Sequence, residues 1–211
     1  MGSCLRTEKD KSDWKDGFLF VGNELVLDFL NTRPVQEGEP VELLADFAAL
    51  LRWFQAADLL NPQEFSRLQR TWRETAKAQK FTESMRNLRE SLRKEIFAWE
   101  RGGALHPSTI AKLNTMMAKH PVRTRLTAHR RAYSRDLWFE LREPEDLFAP
   151  LAHSAATLFS EVDRKRVRKC DHCVLHFHDR SKKGTRRWCS MQLCGNRLKV
   201  AAYAARRRAP E

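Results

Sequence analysis

No apolar run of membrane-spanning length occurs in this sequence, and the most apolar helix-length stretch is interrupted by Asp46, Arg52 and Asp58. The opening MGSCLRTEKDKSDWKDG has no apolar core of the kind a secretory signal needs. Its Met1-Gly2 start lacks the Ser or Thr that a myristoylation signal places where Arg6 stands. Together these absences lead to the expectation of a soluble, cytoplasmic protein with no membrane partner. Cysteine is scarce, with five residues in 211, too few for a secreted disulfide scaffold. There is no internal repeat, low-complexity tract or glycine-rich phosphate loop. No acid and base pair or Ser/His/Asp order can be singled out, so the expectation is a protein that is not an enzyme.

The charge is present but unevenly placed. The chain carries a net +12; from Glu161 to Glu211 there are fifteen Lys or Arg against five Asp or Glu, a net +10, which leaves +2 for the 160 residues before it. Such asymmetry points to a polyanionic partner, because each phosphate neutralised by Lys or Arg releases condensed counterions.

Helical periodicity dominates the first 160 residues. Leu43, Leu44, Phe47, Leu50, Leu51, Phe54 and Leu59 recur mostly at spacings of three and four. Asn61-Pro62 reads as an N-cap followed by proline at the first helical position. Thr82 reads as the cap of a further helix carrying Met85, Leu88, Leu92, Ile96 and Trp99, stopped by Gly102-Gly103. Pro107-Ser108 opens another helix, and Pro144-Glu145-Asp146 begins a last one with Leu147, Leu151, Leu158 and Phe159. Between Val122 and Glu143 the helical signal fades, and Trp138-Phe139-Glu140-Leu141 suits a strand. The segment from Phe18 to Thr32 is apolar around Gly22-Asn23 and fits either a short hairpin or a strand entering a helix. The expected fold is therefore mainly α: a helical domain over residues 1–162 with a minor β component, then a small zinc-finger module over 163–211.

Four of the five cysteines fall within twenty-five positions, as Cys170-Asp-His-Cys173 and, fifteen residues on, Cys189-Ser-Met-Gln-Leu-Cys194. Two close pairs separated by a loop-sized gap suit a tetrahedral Zn²⁺, each pair holding one side of the ion. The set Cys170, Cys173, Cys189 and Cys194 completes a closed, structural site, so His172, His176 and His178 are read as histidines of a hairpin surface or contacts to phosphate. Cys4 reads as a free thiol. A module this small gains its folding free energy from the metal, and Cys189→Ser is expected to lose zinc and melt this module alone.

Val174 to His178 has strand alternation, with Arg180-Ser181-Lys182-Lys183-Gly184 as a cationic hairpin tip and Arg186-Arg187-Trp188 as the return strand. The alanine-rich stretch from Asn196 to Arg208 is expected to be helical, giving a treble-clef-like plan of knuckle, hairpin and helix. The cations Arg180, Lys182, Lys183, Arg186, Arg187, Arg197, Lys199 and Arg206 are the candidate nucleic-acid contacts, with DNA as the leading partner. RNA stays open through stacking on Trp188 and Tyr203, as does a zinc-stapled domain that docks an acidic protein. In the first domain Asp28, Asn31, Thr32 and Arg33 place polar groups in an apolar context, which suits a pocket for a small-molecule effector. Helix capping by Asn31 or Thr32 is the competing reading, and the one cap preferences favour. A homodimer reading paired half-sites is compatible with the sequence.

The string Trp188-Cys189-Ser190-Met191 with Cys194-Gly195-Asn196-Arg197, downstream of a Cys-x-x-Cys, resembles the CGNR zinc-finger family of bacterial proteins, regarded as stress-induced transcription regulators. In that family the finger follows a helical domain, called ABATE, whose opening is similar to Gly22-Asn23-Glu24-Leu25-Val26-Leu27-Asp28-Phe29-Leu30-Asn31-Thr32. The resemblance implies one structural zinc held by the four cysteines, and it implies DNA binding by the finger.

Overall fold

A computed structural model describes residues 13–36, 38–130 and 132–195. Its element order is β1 (Trp14–Lys15), β2 (Phe18–Leu19), α1 (Leu25–Leu30), β3 (Val35–Gln36), β4 (Glu39–Pro40), α2 (Phe47–Ala56), α3 (Pro62–Trp72), α4 (Ala76–Glu100) and α5 (Pro107–Lys119). It continues with β5 (Val122–His129), β6 (Ala132–Phe139), a 3-10 turn (Pro144–Leu147), α6 (Phe148–Glu161), a second 3-10 turn (Arg164–Arg166), β7 (Val167–Lys169), β8 (His176–His178) and a π turn (Met191–Gly195). The described strands form four antiparallel pairs of consecutive strands, so the fold is mainly α with small hairpins. No described helix is long and apolar enough to cross a membrane.

Local chemistry accounts for most helix boundaries. Asp46 caps α2 by accepting from Ala49 N at 2.7 Å. Asn61 and Glu64 form a reciprocal capping box at the start of α3, with Pro62 in its first turn. The helix expected to begin at Thr82 begins instead at Ala76, with Thr75 accepting from Ala78 N. Thr82 lies inside α4, where its buried hydroxyl donates to the Ala78 carbonyl. Gly102 ends that helix at a φ of +97°, in the left-handed region that glycine enters without penalty.

The opening segment proves to be a strand that enters a helix. β2 leads through Gly22-Asn23 into the six-residue α1, and residues 18–30 together reach three cores. Phe18 and Phe20 join the first core, with Phe29, Trp53, Phe54, Leu68, Met85 and Leu147. Val26, Leu27 and Leu30 join the second, with Leu92, Ile96, Leu113 and Leu158. Leu19 and Val21, alternating with them along the extended residues 18–21, join the third, which holds Leu175, Phe177, Cys170, Cys189 and Cys194. Period-two alternation thus sends one short segment into both the helical body and the cysteine module.

The module also reaches back. Val167, only four residues past the Asp163 boundary read from composition, is buried in the second core. The run Arg164 to Lys169, which looks like a linker of charges, supplies β7, and β8 pairs with it in the register Val167↔His178, Arg168↔Phe177 and Lys169↔His176. Arg186-Arg187-Trp188, expected as the return strand, is irregular.

Candidate metal centre and basic loop

The outer edge of β8 explains the Gly-Asn motif. Asn31 Nδ2 donates to the His176 carbonyl at 2.9 Å while His176 N donates to Asn31 Oδ1 at 2.9 Å. His178 N donates to the Gly22 carbonyl at 2.8 Å, and Asn23 Nδ2 donates to the His178 carbonyl at 2.8 Å. Gly22, Asn23 and Asn31 therefore satisfy all four edge groups that β7 leaves unpaired, as buried backbone requires. Gly22 has no room for a side chain, since an added Cβ would lie 2.8 Å from Asp28 N and from Leu27 Cβ. Asp28 Oδ1 accepts from Gly22 N at 2.7 Å, inside the first turn of α1.

The residues proposed from sequence as an effector pocket are thus engaged with the chain itself. Asp28, Asn31 and Thr32 are buried. Asn31 is the C-cap residue of α1, yet its side chain serves β8 rather than the helix end. The Thr32 hydroxyl donates to the Phe29 carbonyl and accepts from Arg89 at 2.9 Å. Arg33 is exposed, with Glu90 at 3.5 Å. Sequence reading missed the α4 arginines that close this region. Buried Arg89 makes a two-pronged pair with Glu42, and Arg93 donates to the Leu30 carbonyl at 2.6 Å. Their spacing of four on a helix was the available signal.

Both faces of β8 are covered. Leu175 and Phe177 face the cysteine core. His176, read from sequence as a surface group, is 2% exposed: it stacks on Phe97 of α4 at 4.3 Å and places Nε2 3.2 Å from Glu100 Oε2. His178 Nδ1 lies 2.8 Å from Glu24 Oε1, which also accepts from Arg180.

The four thiols converge, all Sγ atoms lying within 4.8 Å of one another, with Cys173 and Cys194 each 3.6 Å from Cys189. A Zn²⁺ bound tetrahedrally at about 2.3 Å to sulfur requires S···S edges of about 3.8 Å, so the spacing fits. The acid–base chemistry fits too. The thiol contact from Cys189 lowers Cys173 to about 5, while that same contact and burial push Cys189 up, and burial drives Cys194 to about 12. Holding all four sulfurs as thiolates in this apolar setting needs a cation, and a divalent one with a preference for sulfur satisfies all four. Cys170, Cys173, Cys189 and Cys194 make a site for one structural zinc ion, closed by four protein ligands.

Beyond the knuckle, the chain from Asp179 to Arg187 forms a basic loop braced by hydrogen bonds. Asp179 is buried, and its carboxylate accepts from Ser181 N at 2.9 Å and Arg186 N at 2.8 Å. Arg166 donates to the Ser181 carbonyl at 2.8 Å and Arg168 to the Gly184 carbonyl at 2.8 Å. Arg186 is turned inward: it lies over the Phe177 ring at 4.7 Å, and donates to the Trp188 carbonyl at 2.7 Å and to the Cys189 carbonyl. The structure therefore gives Arg186 a structural task where the sequence suggested phosphate contact. Arg180, Lys182, Lys183 and Arg187 stay exposed, with Arg180 tethered to Glu24 and Arg187 to Asp171. Arg197, Lys199, Tyr203, Arg206 and the expected helix from Asn196 to Arg208 lie outside the described residues, as does Cys4.

A helical body whose β2–α1 segment is locked to a four-cysteine knuckle defines a zinc-finger protein of two interlocked parts. Residues 23–162 match ABATE, described as "Putative stress-induced transcription regulator", and residues 166–207 match the CGNR zinc finger. The chain belongs to this family, with ABATE preceding the finger. A search of curated proteins gave no match.

Proposed function

We propose that this protein is a zinc-dependent DNA-binding transcription regulator whose finger grips the phosphate backbone. The observation that carries this reading is the loop holding Arg180, Lys182, Lys183 and Arg187 at the surface while Asp179, Arg166 and Arg168 fix its backbone from beneath. Preorganised cations lose little side-chain freedom on meeting phosphate, and the closed zinc site supplies rigidity rather than water activation. The family's description as a regulator agrees with a nucleic-acid partner.

The test is fluorescence anisotropy of the zinc-loaded chain with a labelled random DNA duplex across salt concentrations. If the four loop cations meet four phosphates, they contribute about −3.6 to the slope of log affinity against log salt, and chelation abolishes binding. A salt-independent signal, or binding that survives loss of zinc unchanged, would overturn the proposal.

A further inference from the structure

Opposite in character to the packed helices is the hairpin of β5 and β6. Eight residues pair with eight, from Val122↔Phe139 to His129↔Ala132, so each strand runs about 27 Å at 3.4 Å per residue. Its base is anchored by Phe139 in the first core, with Val122 packed beside it. Toward the tip the burial stops. Leu126 is 74% exposed and Tyr133 76%, and Arg123, Arg125, Arg130 and Arg135 are all exposed. Between Val122 and Phe139 there are five arginines and one acidic residue, Asp136. Asp136 is 9% exposed, accepts from Thr127 and Ser134 and stands opposite Arg125 in the register, so it offsets one arginine on that face and leaves Arg130 and Arg135 outside its pairing. The near-neutral total of the first 160 residues conceals this concentration.

The register sorts the side chains. Leu126 pairs with Arg135 and Ala128 with Tyr133, which puts Leu126, Tyr133 and Arg135 on one face; Arg123, Arg125 and Trp138 share the other. On that second face Arg123 lies over the Trp138 ring and Arg125 stands opposite Asp136, whereas a hairpin kept only to support the fold would gain nothing from Leu126 and Tyr133 held out in water beside Arg135. Arginines along an extended ribbon, with an apolar and an aromatic tip, match a polyanion whose groove offers both phosphates and base surfaces. B-DNA's major groove, about 12 Å wide, admits a two-stranded ribbon. Apolar side chains also serve as wedges between base steps in the minor groove.

We infer that the β5–β6 hairpin is a second nucleic-acid contact, an arm that enters a groove of duplex DNA with its arginines on phosphates and Leu126 and Tyr133 toward the bases. It deepens the proposed function by naming a contact remote in sequence from the finger, and it extends the footprint beyond the zinc module.

Three full-length, zinc-loaded variants test it by anisotropy against the same random duplex: R130Q/R135Q in the arm, L126S/Y133S at its apolar tip, and K182Q/K183Q in the finger. Loss of two phosphate contacts makes the salt slope shallower by about 2 in the arm-charge variant. The tip variant should weaken binding at least tenfold with an unchanged slope. If R130Q/R135Q and L126S/Y133S bind as wild type does while K182Q/K183Q weakens, the arm inference fails and the finger reading stands. If the arm variants weaken and K182Q/K183Q does not, the arm stands and the finger reading fails; no binding by wild type at low salt removes both. Sedimentation supplies the remaining outcome. A wild-type dimer that L126S/Y133S converts to monomer, with duplex affinity unchanged, would make the arm a contact between copies of this chain and overturn the inference.

Discussion

Asn31 and His176 are 145 residues apart, yet they exchange two hydrogen bonds of 2.9 Å in the way two strands would. The side-chain amide presents an N–H donor and a carbonyl acceptor side by side in one plane, so it can close a strand edge without adding a strand. Gly22 and Asn23 extend the same edge to His178. The finger is thereby built onto the helical body through groups that neither part could satisfy alone.

Replacing Asn31 by alanine strands the His176 N–H and carbonyl in a buried place. Each unsatisfied group costs about 1–3 kcal/mol, so Asn31→Ala should lower stability by about 2–6 kcal/mol and Tm by about 4–24 °C. Thermal unfolding followed by circular dichroism measures the first effect. Zinc transfer to a chromogenic chelator should also accelerate, because the strand beneath the knuckle is loosened. Zinc release at the wild-type rate would show that the clamp does not support the metal site.

Gly22 invites a steric test of the same junction. An alanine methyl would press on the backbone nitrogen of Asp28, which cannot move without shifting α1. Gly22→Ala should therefore destabilise by about 1–3 kcal/mol, read as a lower urea midpoint with an unchanged m-value. An unaltered midpoint would mean that the loop before α1 yields freely.

Zinc removal bears on how far the two parts are separate. Leu19 and Val21 lie against the cysteine core while Phe18 and Phe20, on the same extended segment, lie in the core of Trp53. Losing the metal should disturb both sides of that segment. We expect chelation to lower the melting temperature of the helical body and to alter the near-ultraviolet dichroism of Trp53, whereas composition alone led to the expectation that only the finger would melt. Two independent transitions, with the helical one unmoved by chelation, would restore the simpler picture.

Helical spacing, the Asn61-Pro62 cap and the paired cysteines are each local, and each is readable where it stands. Thr82 misled because the first turns of α4 are polar, so periodicity became visible two turns after the true cap at Thr75. β7 was hidden because a short strand rich in Lys and Arg looks like a solvated linker. Asn31, Asn23 and Gly22 formed a recognisable string, but their reason lies in β8, far along the chain. The loop cations were legible as charge; which of them face solvent depends on packing, and Arg186 turned inward.

Low pH should act on the α4 arginine cluster. Burial alone would raise the Glu42 carboxyl, but the hydrogen bonds and charge of Arg89 outweigh it and hold it below the usual carboxylate range. Asp146 is likewise held low against burial, by the N–H groups of Glu143 and Arg142 and by His120. A lowered folded-state pKa means the unfolded chain binds more protons, so this stabilisation is present above the ordinary carboxylate value of about 4 and is lost as pH falls below it. Glu42→Gln should flatten that acid limb. It should also cost about 2 kcal/mol near neutrality, less than the 3–5 kcal/mol typical of a fully buried pair, because Glu42 remains 30% exposed. Urea titrations at pH 3.5 and pH 7 would measure the slope; equal acid sensitivity in wild type and variant would remove Glu42 as its source.

Arg186 and its neighbours separate folding from binding within one loop. The Arg186 guanidinium lies over Phe177 and serves two carbonyls beside a zinc ligand, a geometry that depends on a planar fork. Lysine keeps the charge but cannot reproduce the fork, so Arg186→Lys should lose stability and release zinc sooner. Lys182 and Lys183 are exposed on a backbone that other residues hold. Lys182→Gln with Lys183→Gln should leave stability within about 0.5 kcal/mol of wild type while reducing the salt slope of DNA binding by about 2. Measured side by side, the two variants should fail in opposite assays. If the Arg186→Lys variant kept its stability and zinc but lost DNA, that arginine would return to the phosphate contacts, because lysine would then have failed only where two-pronged recognition of phosphate is needed.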